Sequence, residues 1–169
     1  AGAVILEKKL GKTKIFVNDQ WGILATKIFT DGEHYDLLKT DGGVSKNQKT
    51  GFLRMDGKEI FKHAVEKLTS SLTMCLEECN LDVKDIDWVI PHQANQRIIN
   101  AVSKKVKISQ DKIISTIASH GNTSAASIPL ALDTAVKNGN IKNGNIIALQ
   151  AIGGGLSWGS LVLKIGKPS

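Results

Sequence analysis

The apolar positions of this chain follow two different periods, and the switches between them mark its elements. Near the start, short β-like runs at residues 3–6, 14–17 and 23–29 are separated by polar stretches. Residues 8–21 read as a surface excursion, and glycine-bearing loops follow at Asp31-Gly32 and over residues 41–51. The period then changes. Phe61, Val65, Leu68, Leu72, Cys75, Leu76 and Cys79 recur at steps of three and four, which predicts a long amphipathic helix over residues 57–79, ended by Asn80.

Strand and helix then alternate twice. Residues 87–90 predict a short strand, and Pro91, which has no N–H for a ladder, marks its exit. Residues 94–106 predict a helix whose apolar side carries Ile98, Ile99, Ala101 and Val102. Residues 112–117 predict the next strand, and the polar turn 119–123 leads into a small-residue helix over 124–136. Pro129 falls in the early turns of that helix, where a missing N–H costs least. Two last strands, 145–152 and 160–165, flank the segment 153–159. Alternating strands and helices imply an α/β fold, a mixed β-sheet layered with helices.

Composition narrows the class. With 169 residues, 41% apolar and 22% charged, the chain has the size of one ordinary domain and is neither disordered nor collagen-like. No apolar run approaches the roughly 20 residues that cross a bilayer, and no secretory leader pattern opens the sequence. A cytoplasmic protein with no membrane partner is expected. One item does not suit a whole protein: the only methionines are Met55 and Met74, and an apolar stretch opens the chain directly. The second part of a larger protein is the expectation.

An excess of 22 basic over 16 acidic residues gives +6, which favours acidic partners through long-range steering. No aromatic-basic stretch, zinc-finger spacing or basic zipper accompanies that charge, so no nucleic-acid partner is expected. Cys75 and Cys79 both fall on the apolar stripe of the long helix with no His or Cys cluster to complete a metal set. They read as free, buried thiols, not nucleophiles, and no metal is expected.

Candidate chemistry gathers on three loops that leave the C-terminal ends of predicted strands, where open α/β sheets bind ligands. In Pro91-His92-Gln93-Ala94-Asn95, His92 lies between strand and helix, where an imidazole serves proton transfer or hydrogen-bond donation. His34 and His63, on a loop and a helix, read as structural or merely exposed. Asn122, thirty residues after His92, offers an amide that stabilises a developing oxyanion without changing charge; it reads equally as a helix cap. The glycines 153–155 form either a tight turn or a backbone N–H presented to substrate, and they lack phosphate-loop spacing.

Three stretches carry a specific resemblance. Trp88-Val89-Ile90-Pro91-His92-Gln93-Ala94-Asn95-Gln96-Arg97-Ile98-Ile99 resembles the histidine signature of the β-ketoacyl-acyl-carrier-protein synthase III family. His120-Gly121-Asn122-Thr123-Ser124-Ala125-Ala126-Ser127-Ile128-Pro129 resembles its asparagine signature, and Gly153-Gly154-Gly155-Leu156-Ser157-Trp158-Gly159-Ser160 its C-terminal glycine loop. They occur in the family order, and the similarity covers nearly the whole chain.

The resemblance implies a thiolase-like fold of two similar halves, of which residues 1–169 correspond to the C-terminal half, in a protein that is usually a homodimer. It implies an acyltransferase: a decarboxylating Claisen condensation of an acyl-CoA primer with malonyl-acyl-carrier protein, which initiates type II fatty-acid synthesis. His92 and Asn122 would be two members of a Cys-His-Asn triad, and the Cys would belong to the N-terminal half, so the isolated chain is expected to be inactive. Gly154 would supply an oxyanion-hole N–H. Ala94, Asn95 and Phe61 match positions that line the pantetheine tunnel, with helix packing an equal reading of Phe61. Arg97, Lys104 and Lys105 match a basic patch for the acyl-carrier protein, or a solvated helix face. Lys58 stands where some relatives carry an amide that contacts the pantetheine arm. No cofactor is implied, since the CoA thioester and the malonyl carrier protein are substrates. The competing expectations are another condensing enzyme, of polyketide or quinolone type, and a non-enzymatic basic binding module.

Overall fold

A computed structural model describes residues 1–6 and 21–166. Its centre is a four-stranded mixed sheet in the order β1-β6-β5-β4. Strands β1 (Gly22–Thr30), β6 (Ser157–Lys164) and β5 (Ile146–Gly153) are antiparallel neighbours, and β4 (Trp88–Pro91) runs parallel to β5 with Pro91 opposite Gln150. Two three-residue strands, β2 (Leu38–Thr40) and β3 (Leu53–Met55), form a separate antiparallel pair. The helices are α1 (Gly57–Cys79), α2 (Gln96–Val106), the single turn α3 (Ile117–His120) and α4 (Ser127–Lys137).

The period-2 alternation of the strands divides the core between the two faces of the sheet. Val89, Ala148 and Val162 point to one face and meet Leu68, Leu72, Cys75 and Val102 from α1 and α2. Ile90 and Ile147 point to the other face and meet Ala131 and Ala135 of α4. Each helix therefore buries the stripe that its own 3.6-residue period lines up, and the sheet lies between two helical layers.

The long helix has the expected bounds because both ends are capped. Asp56 Oδ1 accepts from Lys58 N and Glu59 N, each at 3.1 Å, and Asn80 takes the left-handed conformation that ends the helix. Cys75 and Cys79 are free and buried, and burial pushes the Cys75 thiol up to about 11. Neither is poised for chemistry.

Four expectations are corrected. Residues 3–6 form no strand: Val4, Ile5 and Leu6 are exposed and pair with no ladder partner among the described residues. Residues 112–117 also form no strand. A 3₁₀ turn at Gln110–Lys112 precedes them, and Ile113 makes one isolated bridge to Val89 before α3 begins. The helix expected from residue 94 starts at Gln96 because Asn95 Oδ1 caps it. The helix expected from residue 124 opens as a 3₁₀ turn, Ser124–Ala126, before α4, with Pro129 inside the first turn of α4. The run at 14–17 and most of the 8–21 excursion lie outside the described residues.

Candidate active site

His92 follows β4 directly, and its backbone is fixed from both sides. Its own N–H donates to Gln150 O on β5 at 2.7 Å, and its carbonyl accepts from Ala94 N at 2.9 Å. The neighbouring Gln93 is fully buried and bonds at both ends of its amide. Its Nε2 donates to Pro91 O (2.7 Å) and Ile114 O (3.3 Å), while its Oε1 accepts from Thr116 N (2.9 Å). That amide ties the end of β4 to the segment 114–116, the segment that pattern alone reads as a strand. The paired contacts explain its extended path without a ladder.

The His92 ring is anchored by a residue from another element. Ser127, the first residue of α4, places its Oγ 2.6 Å from His92 Nδ1, and the same Oγ accepts from Gln93 N at 3.2 Å. Burial pushes the His92 imidazole below its ordinary value, so the ring is neutral near pH 7. An apolar pocket runs beside it between α1, β4, β5 and α2, lined among others by Leu68, Ala94, Ile98, Ile99 and Ile152. Among the described residues, no protein group bonds the far nitrogen, Nε2.

Asn122 is carried by a different kind of segment from the one expected. Its loop follows the single turn α3, not the end of a strand, and leads through the 3₁₀ turn into α4. The Asn122 Oδ1 accepts from Ser124 N at 2.9 Å, which orients the amide, and its NH₂ group has no partner among the described residues. The side chain is exposed. Ser127, five positions on, is thus the link between the asparagine loop and His92.

Gly154 occupies the β5–β6 turn, exposed, with its Cα against the start of β2; a Cβ there would stand 3.0 Å from Leu38 O. The following residue but one, Leu156, is buried and accepts from Asp31 N at 2.8 Å. The glycine turn is therefore held by the β1–β2 connection. It is a tight turn between antiparallel strands, and the crowding at Leu38 accounts for one glycine in it.

The remaining candidates separate into two groups. Ala94 lines the pocket, whereas Asn95 spends its Oδ1 on the cap of α2, 2.8 Å from Arg97 N. Phe61 is half-buried on α1 beneath the Arg97 guanidinium, 5.7 Å from the ring centre. Arg97, Lys104 and Lys105 are exposed along α2, and Lys58 is exposed in the first turn of α1. Sequence reasoning missed Ser127 and Gln93 as members of the site. Both stand inside the quoted signatures, but the residue types alone carry no signal that either side chain is buried at the site.

Among the described residues, no group of three or more His, Cys, Asp or Glu side chains is arranged to hold a metal ion, and no helix is long and apolar enough to cross a membrane.

Comparison with known proteins gives a consistent result. Residues 76–165 match the family described as 3-oxoacyl-[acyl-carrier-protein (ACP)] synthase III C terminal. Beta-ketoacyl-[acyl-carrier-protein] synthase III of Dinoroseobacter shibae is 51% identical over 164 residues, covering 97% of this chain and 50% of that protein. The Brucella suis protein of the same name is 48% identical with the same coverage. The chain spans about half the length of the curated relatives it matches. Among solved structures, 3-oxoacyl-[acyl-carrier-protein] synthase III from Aquifex aeolicus VF5 superposes with a TM-score of 0.80 at 42% identity, covering 86% of this chain and 45% of that one. The priming beta-ketosynthase from the R1128 polyketide biosynthetic pathway gives 0.80 at 30% identity, covering 89% and 47%. The α/β fold is thus thiolase-like, as the resemblance implied.

Proposed function

Since this chain belongs to the family of 3-oxoacyl-[acyl-carrier-protein] synthase III C-terminal regions, we propose that it forms the His-Asn half of an enzyme that condenses an acyl-CoA primer with malonyl-acyl-carrier protein. Residues 1–169 would make one thiolase-like half, and the nucleophilic Cys would come from the other. The observation that carries this reading is His92: a neutral, ring-anchored imidazole beside an apolar pocket, tied through Ser127 to the helix that Asn122 precedes.

The chemistry proceeds in two stages. The Cys thiol takes the acyl group from CoA: a carbon–sulfur bond forms to the Cys, the bond to the CoA sulfur breaks, and CoA leaves as its thiol. The malonyl thioester then loses carbon dioxide, and the electron pair of the broken carbon–carbon bond moves onto the thioester oxygen. A neutral imidazole N–H from His92 and the free NH₂ of Asn122 donate to that oxygen as its charge grows. The enolate carbon attacks the acyl-Cys carbonyl, whose oxyanion is met by the N–H of Gly154, and collapse expels the Cys thiolate. Burial of His92 suits this work, because an imidazolium would trap the enolate as a protonated product. The acyl-carrier protein is printed in the relatives' names, the CoA thioester is what the resemblance of the three signatures implies, and no cofactor has a step to perform.

The test is decarboxylation of malonyl-carrier protein by the complete synthase. His92→Ala and Asn122→Ala should each lower its rate about 10²–10³-fold, the usual effect of removing one oxyanion donor. Wild-type rates in either variant would sink the assignment. A primer series separates initiation of fatty-acid synthesis from the polyketide-type reading that the R1128 likeness keeps in view: an acetyl-CoA preference supports the first, and an exclusive preference for other primers the second.

A further inference from the structure

Ser127 sits at the one point where the His92 ring, the β4 exit loop and α4 meet, and hydrogen-bond accounting fixes which way its proton points. The side chain is buried, so both of its hydrogen-bonding functions need partners. One lone pair of Oγ is taken by Gln93 N–H at 3.2 Å. The hydroxyl proton then has a single acceptor within reach among the described residues, His92 Nδ1 at 2.6 Å. The reverse arrangement, with Nδ1–H donating to Oγ, would leave a buried O–H with no acceptor at all. A desolvated hydroxyl without an acceptor is penalised, and that penalty chooses between the tautomers.

The geometry points to Ser127 as the positioning residue of the site: it donates to His92 Nδ1, holds the ring as the Nε2–H tautomer, and so aims one N–H donor at the open side where substrate would stand. The inference rests on the reading of His92 as a hydrogen-bond donor to a thioester oxygen. The ring could be oriented by packing alone, but only a hydroxyl donor on the Nδ1 side also decides where its proton resides. Gln93 complements this by fixing the backbone. Its amide locks the loop on the far side, so the ring-to-Ser127 bond is the remaining control on imidazole orientation.

The experiment combines nitrogen NMR with kinetics in the complete synthase. With ¹⁵N-labelled histidine, and His92 assigned by its disappearance in His92→Gln, the native ring should show a protonated Nε2 and an unprotonated, hydrogen-bonded Nδ1. Ser127→Ala should move the Nδ1 signal to that of an unbonded nitrogen. It should also lower kcat for decarboxylation about tenfold while leaving KM for the malonyl thioester unchanged. Ser127→Thr, which restores the hydroxyl, should return both. A native ring protonated on Nδ1, or Ser127→Ala with unchanged kcat, would overturn the inference. Should Ser127→Ala fail to fold, the native spectrum and Ser127→Thr decide alone. If the tautomer is as stated but His92→Ala keeps wild-type decarboxylation, the role of Ser127 in setting the ring stands and the proposed function falls.

Discussion

Asp31 carries more structure than any other single carboxylate described. Its Oδ1 caps the 3₁₀ turn Gly32–Leu37 by accepting from Glu33 N at 3.1 Å. Its Oδ2 takes Lys67 Nζ from α1 at 3.0 Å and stands 2.9 Å from His34 Nδ1. Lys67 first, and His34 after it, hold the carboxyl down at about 2. A group whose folded value lies below its free value near 4 stabilises the fold above about pH 4, and that contribution is lost as pH falls through about 2. Asp31→Asn should therefore flatten the acid limb of stability between about pH 4 and pH 2, with denaturant midpoints measured across pH as the check; an unchanged acid limb would contradict the assignment. The consequence reaches the site, because the Asp31 backbone N–H is the group that holds Leu156 beside the glycine turn. The burial of His92 has the same sign: its neutral form belongs to the fold, so the stability tied to it is present above the ordinary histidine value and declines as pH falls below it.

Elements were legible in proportion to how much of their cause is local. Helix α1 is bounded by Asp56 and Asn80, whose capping chemistry is written in the sequence, and its stripe repeats for six turns. Strands β5 and β6 have long alternating runs, and their hairpin glycines announce the turn. The stretch 112–117 misled because its Ile113-Ile114 pair has strand propensity, while a strand is completed by a partner that sequence does not display. Here the partner, β4, offers one bridge, and the side chain of Gln93 takes the bonds a ladder would have made. The hairpin β2–β3 was too short to show a period. At the site, His92 was legible because a strand and Pro91 frame it; Ser127 was not, because a serine opening a helix looks the same whether it caps, faces water or holds a ring. Local causes also make testable quantities. Asp56→Ala removes the acceptor for two N–H groups of α1 and should lower stability by about 1 kcal/mol. Asn80→Gly, which keeps the left-handed exit, should leave it within a few tenths. Urea titration of both distinguishes capping from a general sensitivity of the helix ends.

At the scale of the whole molecule the question is where the charge of +6 resides, because a net value steers nothing unless it is concentrated. Several basic side chains elsewhere have a carboxylate in place: Lys27 with Glu78, Arg54 with Asp41, Lys62 with Glu59, Lys67 with Asp31, Lys137 with Asp133. Several acids are further committed to backbone, as Asp56 and Asp87 are. Helix α2 is different. It contains no acidic residue, and Arg97, Lys104 and Lys105, with Lys107 just beyond, form no ion pair among the described residues. Arg97, Lys104, Lys105 and Lys107 thus place four cations without an ion pair among the described residues on and just beyond one exposed helix, whose N-terminal end adjoins the His92 loop. An acidic carrier protein met by that helix would deliver its thioester to the pocket mouth, which is how the proposed substrate gains from the charge distribution. Exposed charges act mainly on encounter and are screened within about 10 Å at 0.1 M salt. Lys104→Glu with Lys105→Glu should therefore raise KM for malonyl-carrier protein about tenfold at low ionic strength, with a difference that fades as salt is added. KM for malonyl-CoA, which lacks the acidic protein surface, should change far less. A loss equal for both substrates, or one indifferent to salt, would place the effect of these lysines in the fold of α2 instead of in the encounter.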